Sequence, residues 1–562
     1  MASYGRQKRV GPYAGDWDDT VVTLHQATNG RGIVLGNEAP GVLKRTTAFL
    51  DGHTATIGLT RPQDPFPFRR WLKPGETWES PWVFVAPYAG TNDPYAALNG
   101  PVNAFVRRHM GVRLAEAKRK PVLVYNTWMH WSPSQEQVAE APLRDLAQAA
   151  SECGAEEFVI DAGWYALDAS SPPGGANADD WMVRVGDYRP DPSRFPNGLG
   201  PVFDHVRSLG MRPGLWISLA TANHRSKVFR EHPEWFVRDD AGRPVNLHEE
   251  PDPANARAPE LATACMATGW SDYIGGKILD LVERHGLAYA KLDLSMVTSA
   301  YRYDPATSGC RAKGHPGHRD REESLGAIYE AAYALFDRLH ERAPELFIDC
   351  TFETMGKLQL VDYSMLRHAE GNWLSNFDEP APLGPLRVRQ MAWWRAPAIT
   401  ASALVIGNQR LDDPGWELAL QSVAGSFPVL LGDPRQVAPA ERARIRGWAR
   451  WLRAMQDRHD FLSFREDVPG FGEPAEGRWD AFARLNRDSG SGGIVGVFRQ
   501  GAAESRRLVT IPGLDEAATF VVRRAPDGAE VARLEGRALA TSGFAVELPD
   551  LHSGALFELA RE

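Results

Sequence analysis

Cysteine is scarce. The chain has four in 562 residues, at Cys153, Cys265, Cys310 and Cys350, and no CxxC pair. That scatter argues against a disulfide framework and against a cysteine-based zinc site, and it fits a reducing compartment. Long apolar runs are missing, so no segment is expected to span a bilayer. A basic excess is missing too: the net charge is -9, which argues against nucleic acid or an anionic membrane as the main partner. The first residues, Met1 to Arg9, lack the apolar core of a signal peptide, so a cytoplasmic location is expected. No P-loop or GxGxxG opens a βα unit, which argues against nucleotide use. His224, His315 and His318 occur without HxH or HExxH spacing, so neither a metal nor another cofactor is expected. His130 and His368 read as hydrogen-bonding or packing residues. No internal repeat or low-complexity tract stands out.

What is present describes a globular protein of several domains, with 43% hydrophobic and 24% charged residues. Eighteen tryptophans are many, and indoles stack well on sugar rings, although most are core. Residues 1–119 read as an N-terminal β-sandwich-like region, with a connecting helix over 93–114. Residues 120–460 alternate strand and helix, and residues 461–562 return to short strands, a C-terminal antiparallel β-sandwich. In the middle section, strands are expected at 122–128, 157–164, 212–218, 289–295, 346–351, 361–367, 398–406 and 428–431. Eight strands alternating with helices predict a TIM (β/α)8 barrel of the α/β class, flanked by the two β regions.

The stretch 289–295 carries the chemistry. It follows a helical pattern closed by Gly286 as C-cap, and its last residues include Lys291 and Asp293. Residues two apart on a strand share a side, so an ammonium and a carboxylate lie together at a strand's carboxyl end. That end is the active face of a barrel. A neighbouring cation keeps a carboxylate ionised, as a nucleophile requires; the plain alternative is a structural Lys–Asp pair. The other strand ends add Asn126, Trp128, Asp161, Trp164, Trp216, Cys350, Glu353, Glu370, Trp373, Asp378 and Glu379. Paired carboxylates between aromatic walls fit glycoside cleavage, where one acid protonates the leaving oxygen and a second attacks the anomeric carbon or activates water.

Several motifs together resemble the α-galactosidases of glycoside hydrolase family 36, the melibiase-like group. Asp161-Ala162-Gly163-Trp164 is similar to that family's Asp-Asp-Gly-Trp. Leu215-Trp216, followed by Glu231-His232-Pro233-Glu234-Trp235, is similar to its Leu-Trp segment and His-Pro-[Asp/Glu]-Trp helix. Lys291-Leu292-Asp293 resembles its Lys-Trp-Asp, and Asp349-Cys350 its cysteine-bearing fifth strand. Gly496 to Gln500 and His552 to Leu556 resemble its C-terminal module. The resemblance implies retaining hydrolysis with Asp293 as nucleophile and Lys291 beside it. It also implies sugar contacts from Asp161, Trp216 and Cys350. Trp164 and Trp373 read, from the residues themselves, equally as pocket walls or as packing. The implied partner is an oligosaccharide or glycoside substrate; a homo-oligomer is left open.

Four features depart from the pattern. Ala162 stands where the family has a second Asp, so a hydrogen-bond acceptor for the sugar is missing. Asn376 stands where the family's acid/base Asp is expected, and an amide is no general acid at neutral pH. The acid/base is therefore sought at Asp378, then Glu379, then Glu370. Thr351 to Gly356 replaces a glycine-rich segment, and the N-terminal β region is short. The sugar remains open within the class, N-acetylgalactosaminides, other pyranosides and transglycosylation included. Beside the enzyme stands a sugar-binding barrel without catalysis. A Schiff-base aldolase is a third option, but Lys291 charged beside Asp293 is a poor amine nucleophile.

Overall fold

The computed structural model describes residues 15–49, 54–110, 112–128, 138–171, 181–246, 261–294, 308–350, 362–396 and 398–562. His130, Glu353 and the segment 351–356 lie outside the described residues.

Eight parallel strands, all among the described residues, form the centre. Six lie side by side, in spatial order Phe347–Cys350, Tyr289–Asp293, Arg212–Ser218, Glu157–Ile160, Val124–Asn126 and Val429–Leu430. Asn372–Ser375 and Leu404–Ile406 pair with each other. A parallel bridge from Asp349 to Gly371 joins them on one side, and one from Arg410 to Leu431 on the other. The ring thus closes with the strands in chain order, one to eight, as a TIM-type barrel. The strands are buried along nearly their whole length, which is why they read as short apolar runs.

The helices between them begin and end where local chemistry says they should. Pro201 opens Gly200–Ser208. Asp320 caps Arg321–Arg342 by accepting from Glu323 N at 2.9 Å. Gly286, at φ +66°, ends Trp270–His285.

The sixth strand is not where the sequence placed it. Tyr363–Leu366 is a short helix, with Asp362 accepting from Met365 N at 2.7 Å. The strand comes later, at Asn372–Ser375. The capping aspartate favours helix over strand at Tyr363–Leu366.

Before the barrel come two three-stranded antiparallel sheets and the helix Asn103–His109. After it comes a six-stranded sheet running from Glu466 to Arg561, antiparallel throughout, with a separate two-stranded ribbon. One face of that sheet (Phe482, Phe498, Leu556) joins the barrel's core, and the other (Val495, Val497, Phe557) builds a core of its own.

Candidate active site

The barrel's register assembles the site. Trp216 on strand three lies opposite Lys291 on strand four, and Lys291 lies opposite Asp349 on strand five. Below this layer Gly214 faces Tyr289. A Cβ on Gly214 would come within 2.7 Å of Val159 and 2.9 Å of Tyr289, so only glycine leaves room for those side chains. One layer up, Ser218 lies opposite Asp293.

Asp293 is held by two donors. Trp216 Nε1 donates to its Oδ2 at 2.7 Å, and Leu294 N donates to its Oδ1 at 2.6 Å. Leu294 sits at φ +64°, a left-handed conformation costly for a bulky residue, so the chain turns sharply just past the carboxylate. Lys291 Nζ lies 2.8 Å from Asp161 Oδ2 and 3.9 Å from the centre of the Trp373 ring. Asp161 also accepts from the backbone N–H of Ala162 at 2.8 Å. Asp161, Lys291 and Asp293 are all at most 4% exposed.

Electrostatically, the site departs from the simple expectation that Lys291 keeps Asp293 ionised. Burial is the largest influence, and it pushes Asp293 up to about 6. Lys291, the Trp216 indole and the Leu294 amide pull it back only in part, and the Asp161 charge pushes the same way as burial. Asp349 is the neighbour that sequence reasoning missed as a site residue. It is fully buried, accepts from Tyr289 Oη at 2.8 Å, and has no hydrogen-bond partner at Oδ1 among the described residues. Burial raises it to about 6 as well. The signal that could have found it is an aspartate in an otherwise apolar strand, set beside Lys291.

The remaining expected residues divide. Trp216, Lys291, Asp293, Asp161 and Trp373 converge. Cys350 ends the fifth strand as a buried thiol, raised well above its usual range by burial and the nearby carboxylates. Trp164 is a correction: it has no exposed surface, and its indole donates to the Trp216 carbonyl at 2.8 Å. It props the wall rather than forming it. Glu370 is also a correction. It precedes the sixth strand and is taken up by Ile348 N at 2.8 Å, Arg113 Nε at 3.1 Å and His340. Those contacts anchor it at the amino-terminal side of strands five and six, opposite the active face.

Beyond the sixth strand, Asn376 accepts from Trp373 Nε1 at 2.8 Å. Asp378 and Glu379 line a small cleft of about 190 Å³ with Asn408, Gln409 and Arg410. Glu379 pairs with Arg387 at 2.5 Å, and Asp378 acts on Arg410 through its charge. His368 packs flat on Tyr333 and bonds Asp337 at 2.7 Å, a packing residue as expected.

Among the described residues, one group has the geometry to hold a metal: Cys265, Cys310, His315 and His318. The expectation of no metal rested on missing local spacing, and the fold brings together what the sequence kept apart. The group is separate from the Asp293 constellation.

The fold and its face define the class: a (β/α)8 barrel with a braced carboxylate, an ammonium and indoles gathered at the carboxyl ends of its strands. The melibiase family profile matches residues 77–402. That is more than half of the chain, and the chain belongs to this family, the α-galactosidase-like group to which the motifs pointed. It is 26% identical over 347 residues to an α-galactosidase of Escherichia coli, covering 61% of this chain and 42% of that protein. It is 24% identical over 464 residues to the probable α-galactosidase G of Aspergillus terreus, covering 80% and 57%. The chain thus spans about half the length of these curated relatives. In fold it matches the family 36 α-galactosidase AgaB of Geobacillus stearothermophilus with a TM-score of 0.74 at 18% identity, covering 100% of this chain and 73% of that one. An AgaA variant from the same organism, in complex with raffinose, matches with a TM-score of 0.74 at 17% identity and the same coverage.

Proposed function

We propose that the protein is a retaining, exo-acting α-glycosidase of α-galactosidase type, taking terminal α-linked sugars from a small oligosaccharide or glycoside. The observation that carries this reading is the pair of donors on Asp293. Trp216 and Leu294 fix both carboxylate oxygens while the group remains ionisable near neutrality. Asp293 attacks C1 and the leaving oxygen takes a proton from a loop acid. Water, activated by the same acid, then releases the sugar with its configuration retained. Asp161 and Lys291 bind ring hydroxyls, with Trp216, Trp373 and Cys350 around the ring. Asp378 is assigned as the acid, with Glu379 as the alternative. The names of the relatives, and the raffinose bound by one of the similar structures, support a galactoside as first substrate.

One observation favours a second reading, a sugar-binding barrel. Asn376 occupies the place of the expected acid, and Asp378 shares its cleft with the Arg410 guanidinium. A panel of aryl α-glycosides separates the two. The enzyme reading expects turnover of an α-galactoside that Asp293→Ala abolishes. It also expects Asp378→Ala to slow poor leaving groups far more than activated ones, with azide restoring the rate. Tight sugar binding without turnover across the whole panel would establish the binding barrel instead.

A further inference from the structure

We propose that Cys265, Cys310, His315 and His318 form a tetrahedral zinc site that clamps the chain on both sides of the strand bearing Lys291 and Asp293. This inference is independent of the glycosidase reading. The four ligand atoms lie within 4.8 Å of one another. Cys265 Sγ is 3.5 Å from His318 Nε2, Cys310 Sγ is 3.4 Å from His315 Nδ1, and the two imidazole nitrogens are 3.1 Å apart. Zinc bonds of about 2.3 Å to sulfur and about 2.05 Å to nitrogen, arranged tetrahedrally, place ligand atoms roughly 3.5 Å (S to N) and roughly 3.3 Å (N to N) apart. These three spacings lie within about 0.2 Å of those values.

Burial and local construction point the same way. The four residues are at most 9% exposed. Two thiolates around one divalent zinc make a neutral unit, which burial tolerates; two thiols and two imidazoles facing one another do not use their hydrogen-bonding capacity as well. Arg238 N donates to Cys310 Sγ at 3.4 Å, the kind of backbone contact that steadies a metal thiolate. Gly317, between the two histidines, lies so close to Ala267 that a Cβ would sit 2.7 Å from its carbonyl oxygen and 2.8 Å from its Cβ. The turn that carries both histidines is therefore pressed against the segment just after Cys265.

The placement gives the site a purpose. Cys265 precedes the helix Trp270–His285 and strand four, and the other three ligands follow that strand. A metal there closes a covalent ring around the strand of the nucleophile and fixes where the chain beyond Asp293 returns to the barrel. Tetrahedral coordination by two thiolates and two imidazoles selects zinc over magnesium or calcium, which prefer oxygen.

The test is made on the whole protein, produced with zinc in the medium and dialysed against metal-free buffer. Mass spectrometry of the metal content is expected to find about one zinc per chain. Cobalt(II) exchanged into the site is expected to give the intense visible spectrum of a tetrahedral dithiolate centre. Cys310→Ser and His318→Ala should lose the zinc, whereas Cys153→Ala, a buried cysteine elsewhere, should keep it. Chelation of the wild-type protein should lower its melting temperature, and zinc should restore it. A protein that emerges metal-free and shows no cobalt spectrum overturns the proposal. So does a Cys265–Cys310 disulfide found by mass mapping without reductant. Metal content and the cobalt spectrum are read on the unmutated protein, so the test still decides if a variant fails to fold.

Discussion

Asp293 and Asp349 share one barrel interior with Asp161 and the Lys291 ammonium. Both have carboxyl groups raised to about 6, burial being the main cause, and the Asp293 charge also raises Asp349. With Asp293 as the proposed nucleophile, the rate should fall as pH drops through about 6, where Asp293 takes up a proton. The charge coupling by which Asp293 raises Asp349 is reciprocal, so Asp349→Asn should move the acid limb of kcat/KM to lower pH. Trp216→Phe removes a bond that favours the ionised form, so the limb should move to higher pH, with a rate loss of about tenfold to a hundredfold for a hydrogen bond to a charged group. A pH–rate profile of each variant checks both signs; a limb that stays put in both would separate Asp293 from the titration.

The same charge has a cost in stability. Asp349 is raised above its unfolded value, so its burial penalty is absent below the unfolded carboxylate range near pH 4 and fully present above about pH 6. Asp349→Asn should therefore raise the melting temperature at pH 7 and leave it nearly unchanged at pH 4. Thermal scans at the two pH values measure the difference, and an equal shift at both would point to packing instead.

At the scale of elements, buried arginines bolt the C-terminal sheet to the barrel. Arg389, on the helix Leu383–Arg395, donates to Asp480 Oδ1 and Ser422 Oγ at 2.8 Å and to Gln500 Oε1 at 2.9 Å. Arg484 spends its guanidinium on the carbonyls of Phe464, Ala424, Ser426 and Leu462. Arg389→Ala takes the guanidinium from buried Asp480, so it should destabilise the protein by about 3–5 kcal/mol, read as a drop in the denaturant midpoint. A neutral result would mean that water takes the guanidinium's place. Elements also explain what could be read beforehand. The barrel strands were legible because each is a short apolar run bounded by turn residues and buried on both faces. The sixth was misplaced because Asn372-Trp373-Leu374-Ser375 carries polar ends. A more apolar stretch earlier in the chain folds as helix under the Asp362 cap.

At the scale of the whole molecule, the C-terminal sheet is part of the barrel's packing. Phe482, Ile494, Phe498 and Leu556 belong to the same core as the barrel strands. A chain cut after residue 460 would expose that apolar face, and it should be recovered insoluble or as aggregates rather than as a soluble barrel. Solubility and gel filtration of the truncated chain test this; a monodisperse, folded barrel would show that the sheet is an independent module.

The sequence by itself determined the alternation of strands and helices, the motif order and the placing of Lys291 and Asp293 on one strand, because these are local: a run of apolar residues, a capping glycine, a lysine two places before an aspartate. Only the tertiary structure decided that Glu370 and Trp164 are supports, that Asp349 shares the interior, and that Cys265 meets Cys310, His315 and His318. Each of these depends on which strands and loops lie side by side. Registers between distant segments arise from packing the closed barrel, and no spacing along the chain records them.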